Sequence, residues 1–257
     1  MSKLKTFIQF LATLSIVLVP LWFATAALGS KFGLWSWKIG LGKMISSWGP
    51  SVFLTGLVIG LLAFVAALIK PRKGGGFILA MIAITIPAAG MYKATSIRAM
   101  AGALPAIHDI TTDSQDVPVF GTKIMSERAA LGRVNSADYI GKTDNREKEA
   151  VSVLQARDYP DIRPILSVDA PALAFEKSLD AVKALGWAVV DERRADGIIE
   201  ATDTTFWFGF QDDIVIRIRP SEGGGSVIDM RSLSRVGGSD LGKNAQRIRD
   251  FRSRVTG

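Results

Sequence analysis

The residues best suited to chemistry lie in the last fifty or so positions, on strand-like alternation. In "DDIVIRIR" Ile214, Ile216 and Ile218 point one way and Asp213, Val215, Arg217 and Arg219 the other, because successive strand side chains alternate between faces. In "SVIDMRSLSRVGGSDLGKNAQRIRDF", residues 226–251, Ile228, Met230 and Val236 share one face, and Asp229, Arg231, Leu233 and Arg235 the other. Arg217, Arg219, Arg231 and Arg235 therefore gather on one side of a sheet. Guanidinium forks there suit an anionic headgroup, a glycan or a peptide carboxylate. The plainer reading is a cross-strand ladder on a wet face, with Asp213, Asp229 and Glu200 interleaved. Asp212 and Asp213 are adjacent, so they point to opposite faces and cannot work as one acid–base pair without a bulge. Gly237-Gly238 allow a sharp exit from the strand. Ser239 or Asp240 then caps a helix, and Asn244 sits one turn in, able to reach back. Two glycines before a helix also describe an anion site, against which the Asp240 carboxylate competes for the same N–H donors. The candidate ligand-binding set is Arg217, Arg219, Arg231, Arg235, Asp212, Asp213, Asp240 and Asn244, and no catalytic residue is assigned.

Other chemistry is thin. The 257 residues contain no cysteine and one histidine, which excludes thiol nucleophiles, disulfides and a multi-histidine metal site within one chain. His108 with Asp109, Asp113 and Asp116 has the donors for a hard cation, but carboxylates in a connector more commonly cap turns, so no metal is expected. No nucleophile elbow, P-loop, dinucleotide fingerprint or metalloprotease motif is present, and no cofactor is expected.

The elements that must position these residues follow from periodicity. "IRPILSV" has strand content. "DAPALAFEKSLDAVKALGW" has Asp169 as N-cap, Pro171 in the first turn, and Leu173, Ala174, Leu179, Val182 and Leu185 at helical spacing. "WAVVDE" and "GIIEATD" form a hairpin around "RRADG", and two further strands follow, joined by "SEGGG". The last helix buries Leu241, Ala245, Ile248 and Val255 and turns Arg247, Arg249, Arg252 and Arg254 toward solvent. The order strand–helix–four strands–helix predicts an α+β fold, an antiparallel sheet with two helices packed on one face. "TTFWFGF", residues 204–210, is a hairpin tip expected to pack on the core, with contact to a membrane as the alternative. Residues 106–160 are irregular. They read as a connector and extension, with a short helix in "SERAALGRVNSADYIG" and a charged helix in "DNREKEAVSVLQARDYPDIRP", before the core at 161–257.

The first 105 residues differ in kind. Residues 7–28 and 52–69 are apolar and free of charge, and 77–97 is apolar but for Lys93. A spanning helix needs about 20 such residues, so about three transmembrane helices are expected. A cleaved signal peptide ending near "ATA" is the alternative for the first, and a re-entrant segment for the third. Pro20 and Pro87 are tolerated in bilayer helices. The net charge of +7 arises here, since every Asp and Glu lies at or after Asp109. It is a topology signal rather than a nucleic-acid footprint. Lys3 and Lys5, with the dense Lys70-Arg72-Lys73 loop, mark the cytoplasmic side. The opposite loop, 29–50, carries Lys31, Lys38 and Lys43 with interfacial Trp35, Trp37 and Trp48. Three crossings then leave the C-terminal domain outside the cytoplasm.

Four strings, "IHDITTD", "YPDI", "FGFQDDIVIRIR" and "IDMRSLSRVGGSDLGKNAQRI", resemble the DUF1499 family in its long bacterial form with a hydrophobic N-terminal region. The resemblance covers roughly residues 106–255. It implies a domain boundary and no chemistry. The expectation that follows is a multi-pass protein of a bacterial inner membrane. Its extracytoplasmic module would bind or assemble something in the cell envelope. Its partners would be the lipid bilayer and an anionic lipid, a glycan or a partner envelope protein, with no nucleic acid. The alternative is an envelope hydrolase or transferase using Asp212, Asp213, Arg231 and Asp240. A deep pocket gathering those side chains favours the enzyme, and a ladder of paired charges favours the module.

Overall fold

The computed structural model describes residues 2–69, 76–144 and 146–256. Lys70, Arg72 and Lys73, on which the orientation argument leans, lie outside the described residues. The chain divides into two compact units. One holds Met1–Ala99 with Phe206–Gly209, and the other Met100–Thr205 with Phe210–Gly257.

In the first unit α1 spans Ser2–Lys31, α2 Gly49–Ile69 and α3 Gly76–Ala103. Three segments, Lys3–Lys31, Lys38–Ile69 and Gly76–Ala103, are long and apolar enough to cross a membrane. The loop expected at 29–50 is mostly helical. Lys38–Trp48 winds as a wide π-type helix that runs directly into α2. The hydroxyls of Ser46 and Ser47 donate to the carbonyls of Leu41 and Gly42, five residues back. The helices meet on small residues, Ala12 from α1, Ala63 from α2, and Ala80 and Ala83 from α3. A β-carbon added to Gly60 would lie 2.8 Å from the Ala83 carbonyl group, so only glycine admits this approach. Gly56 and Gly60 form a small-xxx-small pair, a device that brings bilayer helices together without a hydrophobic driving force.

The second unit is the α+β fold that the periodicity predicts. Its strands are β1 (Asp109–Thr111), β2 (Ile165–Ser167), β3 (Ala188–Arg193), β4 (Ile198–Thr204), β5 (Gln211–Pro220) and β6 (Ser226–Ser234). The antiparallel order is β1-β6-β5-β4-β3, with β2 also on β6. β1 pairs with residues 231–233 and β2 with 226–228, so two short strands lie end to end along one edge. Helices α6 (Pro171–Ala184) and α7 (Lys243–Thr256) cover the aliphatic face. There Ile199, Ile214, Ile216, Ile218, Ile228 and Met230 meet Leu179, Val182, Ile248 and Phe251.

Several local expectations are corrected. Asp169 is not the cap of α6. Ala170 holds that position without a side-chain bond, Pro171 opens the helix, and the Asp169 carboxylate instead accepts from Lys177 at 2.6 Å. Leu173 is 50% exposed and Phe175 is buried in its place. Residues 106–160, expected as a connector and extension with two helices, supply β1, α4 (Thr122–Ala130) and α5 (Val151–Asp158). The charged helix starts late because Asp144 gathers the backbone N–H groups of Arg146, Glu147 and Glu149 into a loop. Gln155 of α5 bonds both backbone groups of Thr111, at 3.0 and 2.7 Å, which satisfies the free edge of β1. The β4–β5 tip does not pack on the core. Phe206 and Trp207 are 70% and 54% exposed and meet edge to face.

The largest correction concerns the second sheet face. It is not wet. Phe120 and Ile124 pack on Val215 and Leu233 there, and α4 with its flanking segments covers the charged ladder.

Candidate functional site

Under that cover lies a buried ion network built from alternate residues of β1, β4, β5 and β6. Antiparallel register places Val215 opposite Arg231, Asp213 opposite Leu233 and Thr202, and Asp109 opposite Leu233. Arg231 is 2% exposed. Its Nε and Nη2 each donate to Asp109 at 2.9 Å, Nη2 also to the Ala137 carbonyl at 2.6 Å and Nη1 to the Pro118 carbonyl at 3.3 Å. Its plane lies between the rings of Phe120 and Tyr139. Asp109 also accepts from Lys142 at 2.6 Å. Burial and the nearby Asp109 charge hold the Tyr139 phenol well above its ordinary value, so it stays protonated.

Arg235 is 3% exposed. It reaches Asp213 at 2.7–3.0 Å, Glu127 at 2.7 Å, Gln211 at 2.9 Å and Thr202 at 3.3 Å. Arg128 of α4 bonds the same Asp213 at 2.5 Å and the Asn135 carbonyl at 2.5 Å. Asp109 and Asp213 thus each have cationic partners on more than one side, which offsets their removal from water. Glu200 accepts from the Gly121 amide at 2.5 Å and from Arg193 at 3.1 Å. At the edge of the network Arg217 and Arg219 both bond Asp229, at 3.0 and 2.7 Å, and Arg219 bonds Asp116 at 2.8 Å. This rim is where the candidate arginines meet solvent. The Arg219 side chain is 41% exposed and Asp116 61%.

A second polar cluster sits at the strand-to-helix junction, on the α7 side. Gly237 takes φ +95°, in the region that favours glycine, and so turns β6 toward α7. Asp240 is the cap, accepting from the amides of Gly242 at 2.8 Å and Asn244 at 2.9 Å. Burial raises its carboxyl above the ordinary value despite those donors. Asn244 donates to the His108 carbonyl and to the Ser234 hydroxyl, both at 3.0 Å, and accepts from Ser232 at 2.6 Å. Arg247, expected on the solvated side, is buried. It bonds Asp203 at 2.7 Å, Asp212 at 2.8 Å, Ser232 at 3.1 Å and Asn244 at 2.5 Å. Of the remaining arginines of α7, Arg249 pairs with Asp161 and Arg252 bonds the carbonyls of Asp161 and Arg163.

The eight candidate residues are therefore divided. Arg217, Arg219, Arg231, Arg235 and Asp213 lie on the α4 side, and Asp212, Asp240 and Asn244 on the α7 side. Asp212 and Asp213 face opposite ways, as alternation requires. The arginine set does not form an open groove. Asp109, Arg128, Asn135, Asp203, Ser232, Ser234 and Arg247 complete the two clusters and were not singled out for these roles by spacing. Their partners lie up to 122 residues away, so only the fold brings them together.

Three buried side-chain atoms have no hydrogen-bond partner among the described residues: His108 Nδ1, the Tyr159 hydroxyl and Asp229 Oδ1. Burial, then the Lys142 charge, lowers the His108 imidazole below its ordinary value, so it is neutral at pH 7. Burial and the Asp240 charge push Tyr159 up to about 12. Among the described residues no group of three or more His, Asp or Glu side chains is placed to hold a metal ion.

No curated protein matches the chain. Residues 141–255 match a family model, and that segment takes in α5 to α7 and β2 to β6 while leaving out β1 and α4. The chain carries a domain of the family described as Protein of unknown function (DUF1499).

Proposed function

We propose that this is a multi-pass protein of a bacterial inner membrane whose DUF1499 domain lies outside the cytoplasm and serves as a non-catalytic binding or assembly module of the cell envelope. The observation that carries the reading is the pairing of charge. Buried Asp109 pairs with buried Arg231 and buried Asp213 with buried Arg235, while buried Asp229 pairs with Arg217 and Arg219 at the rim. Groups held this way stiffen a domain and are poorly placed to exchange protons with a substrate. The alternative of an envelope hydrolase or transferase needs Asp212, Asp213, Arg231 and Asp240 to converge on one point. Alternation along β5 works against that.

The surfaces left for partners are the Arg217–Arg219–Asp116 rim, where an anionic lipid, a glycan or an envelope protein would dock, and the exposed Phe206-Trp207 tip. The catalytic alternative is tested in cells that depend on the protein, with Asp212→Asn and Asp240→Asn, two of the carboxylates it invokes, introduced singly. A module tolerates each isosteric amide with less than about a tenfold loss, whereas a catalytic carboxylate costs about a hundredfold or more. Such a loss in a variant that still folds would favour the enzyme.

A further inference from the structure

We infer that the first unit holds a binding site for one anionic phospholipid, in the groove bounded by α1, the wide helix, α2 and α3. This goes beyond the module reading and does not depend on which way the domain faces. The groove has a volume of about 280 Å³, and Phe23, Ile45, Phe53, Met91 and Ile97 give it an apolar wall. Lys93 and Arg98 line the same groove. Arg98 is held across it by one bond, Nη2 to the Ser46 carbonyl at 3.3 Å. Lys93 makes no ion pair among the described residues.

Three observations name the occupant. First, there is no Asp or Glu before Asp109, so neither cation has a carboxylate of its own unit to pair with. A guanidinium and an ammonium beside hydrocarbon then call for an external anion. Second, two tryptophans stand close to the groove, Trp22 next in sequence to its Phe23 and Trp48 two residues before its Pro50. Trp22 and Trp48 pack 6.1 Å apart, and the Trp22 indole donates to the Met44 carbonyl at 3.1 Å. Such rings mark the headgroup zone. Third, the same groove carries both the apolar wall and the two cations, so a ligand with a charged head and a hydrocarbon tail matches both parts. Basic pockets between membrane helices take anionic headgroups by this chemistry. The structure assigns the phosphate to Lys93 and Arg98, and part of one acyl chain to the wall of Phe53, Met91 and Ile97.

The test uses the full chain in mild detergent. It is equilibrated with equal amounts of phosphatidylglycerol and phosphatidylcholine carrying identical acyl chains, and bound lipid is counted by native mass spectrometry. Phosphatidylglycerol should be retained over phosphatidylcholine by roughly tenfold. Lys93→Gln with Arg98→Gln should bring the two lipids to parity, while Lys93→Arg with Arg98→Lys keeps the preference. Ala94→Phe fills the groove but leaves both cations, and should lower retention of phosphatidylglycerol. Excess inorganic phosphate should not displace the lipid. Equal retention by the unaltered chain, a preference that survives the double glutamine change, or indifference to Ala94→Phe would each overturn the proposal. So would displacement by phosphate, or a second copy of the chain occupying the groove in place of lipid. Circular dichroism of every variant checks folding, and the single changes Lys93→Gln and Arg98→Gln carry the test if the double variant fails to fold.

Discussion

Asp213 has the most to lose from a single-atom change. It accepts from Arg128, Arg235 and Thr202 with none of its side chain exposed. Asp213→Asn leaves two buried guanidinium groups short of a counter-charge and should cost about 3–5 kcal/mol. Asp116→Asn, at the exposed rim, should cost far less because solvent screens the pair. Denaturant melts of the detergent-solubilised full chain compare the two. Similar costs would mean that the network is wetter than its geometry. His108 supplies a pH signal. Its folded value lies below the ordinary 6.5 through burial, with Lys142 and Arg128 adding to the shift and Asp109 opposing it. The folded state therefore disfavours the imidazolium. Its stabilising share is present above pH 6.5 and is lost as pH falls through the lower folded value. His108→Asn should flatten the fall in melting temperature as pH drops below 6.5.

At the scale of elements, the turn into α7 and the cover over the sheet carry opposite expectations for substitutions in one motif. Asp240 makes two cap bonds and Ser239 one long one, 3.3 Å to the Leu241 amide. Asp240→Ala should lower stability by about 1–2 kcal/mol, and Ser239→Ala by less. Changing Arg231 and Arg235 together to glutamine would be harmless on a wet face. Beneath α4 it strands Asp109 and Asp213, and the same melts should show either a loss of at least about 3 kcal/mol or failure to fold. A near-neutral result would mean that α4 does not seal the face in solution. The three apolar helices have their own sensitive point, since Gly60→Val drives a side chain into the Ala83 backbone. It should lower the midpoint for loss of helical signal in a graded denaturing-detergent titration.

For the molecule as a whole, the proposed function turns on which side of a membrane the domain would face. An even split of basic residues between the two helix ends leaves local density to decide. The absence of cysteine makes the measurement clean, because one introduced thiol is then the only one. Ser253 lies exposed on α7. In intact spheroplasts, Ser253→Cys should react with a membrane-impermeant maleimide if the domain is extracytoplasmic. Protection until the cells are broken would reverse the assignment and remove the envelope from the proposed function.

Much of this architecture is local and was legible before any coordinates. Isoleucines at i, i+2 and i+4 in β5 dictate which face is buried, and adjacency alone sends Asp212 and Asp213 apart. Apolar runs of about 20 residues predict the three helices that are long and apolar enough to span a membrane. The helix cap at Asp240 also follows from its position after two glycines. What spacing could not tell is whether a polar face is wet. Arg231 and Arg235 alternate identically beneath solvent or beneath α4, because period reports which residues share a face and not what lies over it. The cover comes from residues 112–140, whose own sequence is irregular and reads as a connector. Its anchors, Asp109 on Arg231 and Arg128 on Asp213, span 122 and 85 residues. Burial of charge is thus a property of tertiary contact, and it turns the expected charged ladder into the polar half of the core.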